Sequence, residues 1–114
     1  GNVFRKGIKP ELDALQEKLD EINTSVQSMV DVLMKNDKSE KKQATIRFEK
    51  TANNDSWYFS TTSKRVESLK KANTLHGYET KTQKSNVRLF HKDIDAFRMQ
   101  YIDTLAQMIE CVQK

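Results

Sequence analysis

Seven apolar side chains, Leu12, Leu15, Leu19, Ile22, Val26, Met29 and Leu33, follow one another at alternating steps of three and four residues. That spacing puts them on one side of an α-helix. A helix of about 25 residues is ~37 Å long and cannot bury such a stripe by itself. Pro10 followed by Glu11 and Asp13 marks its first turn, where proline is tolerated and carboxylates favour the positive end of the helix dipole. The partner surface is expected at the other end of the chain. There Ile94, Phe97, Tyr101, Leu105, Met108 and Val112 recur at helical spacing, with Ile102 and Ile109 widening the face. An antiparallel pair closed at one end by the residues between them satisfies both stripes most simply. Asn36 to Lys42 (NDKSEKK) would end the first helix and turn the chain.

Between the two helices the period changes from near 3.6 to 2. Ile46 and Phe48 alternate with Arg47 and Glu49, Asn53 to Asp55 form a turn signal, and Trp57 and Phe59 flank Tyr58. This pattern predicts a β-hairpin. Ser63 to Asn73 has Val66 and Leu69 on one side, which predicts a short helix capped by Ser63. After Gly77 a second extended stretch, Tyr78 to Gln83, is turned by Lys84 and Ser85 into Val87, Arg88 and Leu89. The fold class that follows is α+β: two long antiparallel helices forming an arm, with a small antiparallel sheet and a short helix at its tip. At 114 residues the chain has room for one domain. It divides into an outgoing helix (1–36), a β tip with a short helix (37–92) and a returning helix (93–114).

Charge follows the same division. The net charge is −1 over residues 1–36, +7 over 37–92 and −2 over 93–114. The basic residues of the middle, Lys64, Arg65, Lys70, Lys71, Lys81, Lys84, Arg88 and Lys92, are interleaved with Ser60, Thr61, Thr62, Ser63, Thr80, Thr82, Ser85 and Asn86. Cations together with hydroxyls and amides are the groups that contact phosphate oxygens. Chemistry of other kinds finds little support. His76 and His91 stand fifteen residues apart with no ligand partners at a recognised metal spacing. Gly1 to Lys9 (GNVFRKGIK) misses the phosphate-binding loop, since its second glycine comes one residue late. Cys111 is the single cysteine, so no internal disulfide can form. No apolar run approaches the ~20 residues needed to cross a bilayer, and no signal peptide is visible. The expectation is a soluble intracellular, non-enzymatic chain with no cofactor, its compartment undetermined.

The residues that carry the tip also resemble a known family. Phe4-Arg5-Lys6-Gly7-Ile8-Lys9-Pro10-Glu11-Leu12-Asp13 is similar to the segment of MutS-family proteins that leads into a long lever helix. Ile46 through Thr62, with Trp57-Tyr58-Phe59 followed by a threonine pair, resembles the clamp hairpin of that family. Tyr78, Lys81, Gln83, Asn86 and Arg88, followed by His91-Lys92-Asp93-Ile94, resemble the residues that precede the returning lever. The short spacing from Gln83 to Arg88 and the TSKRVESLKKAN helix depart from bacterial members and look more like divergent types of large DNA viruses or coral mitochondria. The resemblance implies a clamp with the ends of its levers, excised from a mismatch-repair protein, with Gly1-Asn2 as a cloning remnant. The family's Phe-x-Glu motif and its ATPase domain, which would use ATP and magnesium, are not in these residues.

On that resemblance the tip contacts double-stranded DNA without sequence preference, through Lys64, Arg65, Lys70, Lys71, Lys81, Lys84, Asn86 and Arg88. The remaining domains of the parent chain and the second subunit of a dimer are the other implied partners. A rival reading is a coiled-coil protein-interaction module in which the Leu12 to Leu33 stripe pairs with another chain; a dimer formed through that helix would mark it. Binding to an anionic membrane is disfavoured because neither long helix has a lysine-rich polar face.

Overall fold

The computed structural model describes residues 8–36 and 46–113. Its elements run α1 (Ile8–Asn36), β1 (Arg47–Lys50), β2 (Trp57–Thr62), α2 (Ser63–Lys71), β3 (Tyr78–Gln83), β4 (Asn86–His91) and α3 (Lys92–Gln113). The class is α+β, and the four strands form one antiparallel sheet in the order β1-β2-β4-β3. The molecule extends 55 × 26 × 23 Å. Most of the predicted Asn36 to Lys42 turn lies outside the described residues.

Alternation decides which side of the sheet is dry. Trp57, Phe59 and Thr61 of β2 and Val87 and Leu89 of β4 are buried, while the residues between them are half-buried or exposed. The buried side packs against the second half of α1, through Ile22, Val26, Val30 and Leu33, and against Val66 and Leu69 of α2 and Ile94 of α3. Phe59, Leu69, Leu89 and Ile94 lie at its centre, with no exposure. The other side of the sheet has no element over it among the described residues.

Local signals place each short element. The turn between β1 and β2 puts Asn53 and Asn54 at φ 61° and 56°, a left-handed conformation that asparagine tolerates better than most residues. The Trp57 indole N–H donates to Asn54 Oδ1 at 3.0 Å, and Arg98 of α3 donates to the Asn54 carbonyl at 3.2 Å. The α2 helix is capped by Thr62, not Ser63: the Thr62 hydroxyl accepts from the Arg65 N–H at 3.2 Å. Ser63 has another role. Both its N–H and its hydroxyl donate to the Ser85 carbonyl, at 3.1 and 3.2 Å, tying the start of α2 to the β3–β4 turn.

The long helices meet through seams that differ from their apolar stripes. On α1 the fully buried set is Leu12, Leu19, Ile22, Val26, Val30 and Leu33, with Leu15 and Met29 only half-buried. On α3 only Ile94, Thr104 and Cys111 are buried, with Phe97, Arg98, Tyr101, Ile102, Leu105 and Met108 half-buried around them. Ile109 and Val112, expected in the seam, are 59% and 49% exposed. Thr104 is buried without penalty because its hydroxyl donates to the Gln100 carbonyl at 2.8 Å. Lys50 joins the sheet to both helices. Its ammonium donates to Asn23 of α1 at 3.1 Å and sits 4.3 Å from the Tyr101 ring of α3 and 4.5 Å from Trp57. Partial burial lowers its pKa.

Two predictions follow from the packing of β2 and β3. Phe59→Ala removes the central ring and costs about 3–5 kcal/mol, most of what a domain of this size has; urea denaturation should show the variant largely unfolded. Tyr78 lies against Phe59 and His91, with ring centroids 6.2 and 4.6 Å apart. Burial first, and the Asp93 carboxylate second, push its phenol from 10.0 up to about 12. Between those values the unfolded chain ionises Tyr78 while the folded one keeps the proton, so stability falls as pH rises through that window. Tyr78→Phe should flatten the fall in a denaturation series across it.

Candidate nucleic-acid interface

Strand register turns the open side of the sheet into ordered rows. Arg47 pairs with Ser60, Ser60 with Arg88, and Arg88 with Lys81. One row across all four strands therefore carries three cations and a hydroxyl, with neighbouring strands about 4.8 Å apart. The next row toward the helices is Glu49, Tyr58, Phe90 and Glu79, and the next toward the β3–β4 turn is Thr62, Asn86 and Gln83.

Like charges directly opposite each other on adjacent strands destabilise a sheet, and Arg88 faces Lys81. Each cation instead leans over a ring of the neighbouring row: Arg88 Cζ lies 4.7 Å from the centroid of Tyr58, and Lys81 Nζ 5.3 Å from that of Phe90. The two rings are themselves 5.6 Å apart. Cation–π attraction offsets part of the repulsion. No salt bridge to a carboxylate neutralises Arg47, Lys81 or Arg88 among the described residues, although Arg98 is held by Asp95 at 2.8 Å. Among the described residues the row is thus a cationic surface with no ion-paired carboxylate.

The β3–β4 turn extends this surface at the end of the sheet away from α3. Lys84 holds φ 56° there. A left-handed lysine is strained where glycine would not be, so a cation occupies the turn at a conformational cost. The Ser63–Ser85 bonds bring the first turn of α2, with exposed Lys64, to the same end.

The structure divides the eight residues picked from sequence. Lys81, Lys84, Asn86 and Arg88 share the β3–β4 hairpin, and Lys64 lies beside its turn. Arg65 is 6% exposed, buried with Val66 and Leu69 on the inner side of α2. Its guanidinium packs inside the fold and does not line the surface. Lys70 and Lys71 are exposed at the other end of α2, which covers the opposite side of the sheet from Arg88. Sequence reasoning missed Arg47, Tyr58 and Phe90. Their signal was alternation: each lies one residue from a buried position, beside Ile46, Phe59 and Leu89.

Elsewhere, the first turns of α1 and the last turns of α3 line a groove of about 580 Å³ with Leu12, Leu105, Met108, Ile109 and Val112. No group of three or more His, Cys, Asp or Glu side chains is placed to hold a metal ion among the described residues. None of the described helices is long and apolar enough to cross a membrane. No family model matches this chain, and no curated protein matches it.

If Lys84 is kept for its charge rather than for the turn, glycine should serve the fold better. Lys84→Gly relieves a strain of ~1–2 kcal/mol and loses part of that gain to backbone entropy, about 0.5–1 kcal/mol. The expected result is a urea midpoint equal to or above that of the parent chain.

Proposed function

We propose that this chain is the clamp of a MutS-type protein: an arm whose tip makes sequence-independent contacts to the phosphates of double-stranded DNA. The observation that carries this reading is the row Arg47-Ser60-Arg88-Lys81, continued by Lys84 and Lys64 at the β3–β4 end. Cations set side by side, without a carboxylate partner among the described residues, are a cost to the fold that an anionic ligand removes. Phosphates are such a ligand, and neutralising them releases counterions and gives affinity without base readout. Ser60, Asn86 and Gln83 on the same side add hydroxyl and amide donors for phosphate oxygens. The likeness of Lys81, Gln83, Asn86 and Arg88 to residues that precede the family's returning lever supports this placement, while Tyr78 of the same stretch lies on the buried side against Phe59.

In this reading α1 and α3 are the antiparallel levers of the arm. Support comes from the groove in which the start of α1 meets the end of α3, and from the Lys50 and Arg98 contacts that hold the sheet to the helices. The arm carries position from DNA to the rest of a parent chain, and a second arm from a dimer closes the embrace. Catalysis lies in the parent's ATPase domain, outside this chain. The coiled-coil alternative needs the α1 stripe free for another molecule. Most of that stripe, Leu12, Leu19, Ile22, Val26 and Leu33, is already buried within the chain.

Binding to a fluorescent duplex across a salt series tests the proposal. Affinity should be weak and fall steeply with salt, with no dependence on sequence. Arg88→Glu with Lys81→Glu should abolish binding, and Arg47→Gln should lower the log–log salt slope by about one. Lys70→Glu with Lys71→Glu, on the far side, should change affinity less than about two-fold, as for a charge outside the contact set. No duplex binding at low salt, or equal sensitivity to both charge reversals, would overturn this reading.

A further inference from the structure

The row beside the cations is unsuited to a phosphate backbone and calls for a different partner. Tyr58 and Phe90 stand side by side on the two central strands, half-buried on the side of the sheet that no described helix covers. The dry side is already filled by Trp57, Phe59 and Leu89, so these two rings fill no core. A carboxylate flanks each ring, Glu49 next to Tyr58 and Glu79 next to Phe90, and would repel phosphates laid along the row.

We propose that the open side of the sheet is a stacking platform for unpaired bases of a single-stranded nucleic acid, with bases on Tyr58 and Phe90 and phosphates over Arg47, Arg88 and Lys81. Alternate residues on one side of a strand are about 6.6 Å apart. A strand crossing the sheet therefore sets its bases over one row and its backbone over the next. Aromatic side chains accept any base because every base has a π-face, and Glu49 and Glu79 accept hydrogen bonds from base amino and imino groups exposed only when pairing is lost. The rings are covered in the free protein by the long side chains of Arg88 and Lys81. Those cations swing onto phosphates as bases replace them. Paired bases within a duplex cannot reach the rings without opening. This inference goes beyond the duplex reading and shares with it only the cation row.

The experiment compares anisotropy of a labelled homopolymeric single strand that cannot self-pair with that of a blunt duplex of equal length, at low salt. Tyr58→Leu with Phe90→Leu keeps apolar area on the open side and removes the stacking surface, and circular dichroism checks the fold. Stacking on one ring is worth roughly 5- to 150-fold in affinity, so the double variant should lose about ten-fold or more for the single strand and less than about two-fold for the duplex. In the parent chain, the ring protons of Tyr58 and Phe90 should shift upfield in NMR spectra on adding single strand but not duplex. Equal losses for both ligands, an unchanged single-strand affinity or unshifted ring signals would overturn the platform. Duplex binding without single-strand binding would sink the platform and leave the clamp standing. Single-strand binding that needs both rings, with no duplex binding, would do the reverse.

Discussion

One side of the sheet is kept dry, and the placement of every other element follows from that. The second half of α1, together with α2, covers Phe59, Leu89 and their neighbours, and no other described element covers the opposite side. Burying large side chains stabilises by about 1.5–3 kcal/mol each, so the register that places Phe59 and Leu89 inward is not negotiable. A slip of one residue would turn Arg88 and Tyr58 into the core and the core into water. The outward rows are a consequence of the inward ones.

Because the register is fixed by the core, the outer side was free to vary, and what it carries is informative. A stable exposed sheet would set opposite charges across from each other. Here Arg88 faces Lys81, a lysine bends through a left-handed turn, and two rings lie where there is no core to fill. The first two choices cost the isolated fold something, and all three suit the anionic, base-bearing ligand proposed above. Local departures from what folding alone would select are where function is expected.

Most of the architecture was legible because it rests on periodicity. The heptad of α1, the alternation around Phe48 and Phe59 and the turn signals at Asn53 and Ser85 all have direct counterparts in the structure. What escaped was set by tertiary context. On α3 the seam passes through Thr104 and Cys111, which are small and allow helices to approach, while the more apolar Leu105 and Val112 sit beside it. Val30 replaces Met29 in the core because a straight helix drifts away from a strict seven-residue repeat. The candidate site was harder. Lysines and arginines announce charge but not direction, and only the register separates Arg88, on the open side, from Lys70 across the molecule and from Arg65 inside it.

The contacts that Lys50 and Arg98 make between sheet and helices have a mechanical consequence. Two attachments from different elements cross that junction: Lys50 reaches Asn23 and the Tyr101 ring, and Arg98 reaches the Asn54 carbonyl. Over the molecule's 55 Å length one degree of rigid tilt would correspond to about 1 Å at the far end, so contacts of this kind decide whether sheet and helices move together.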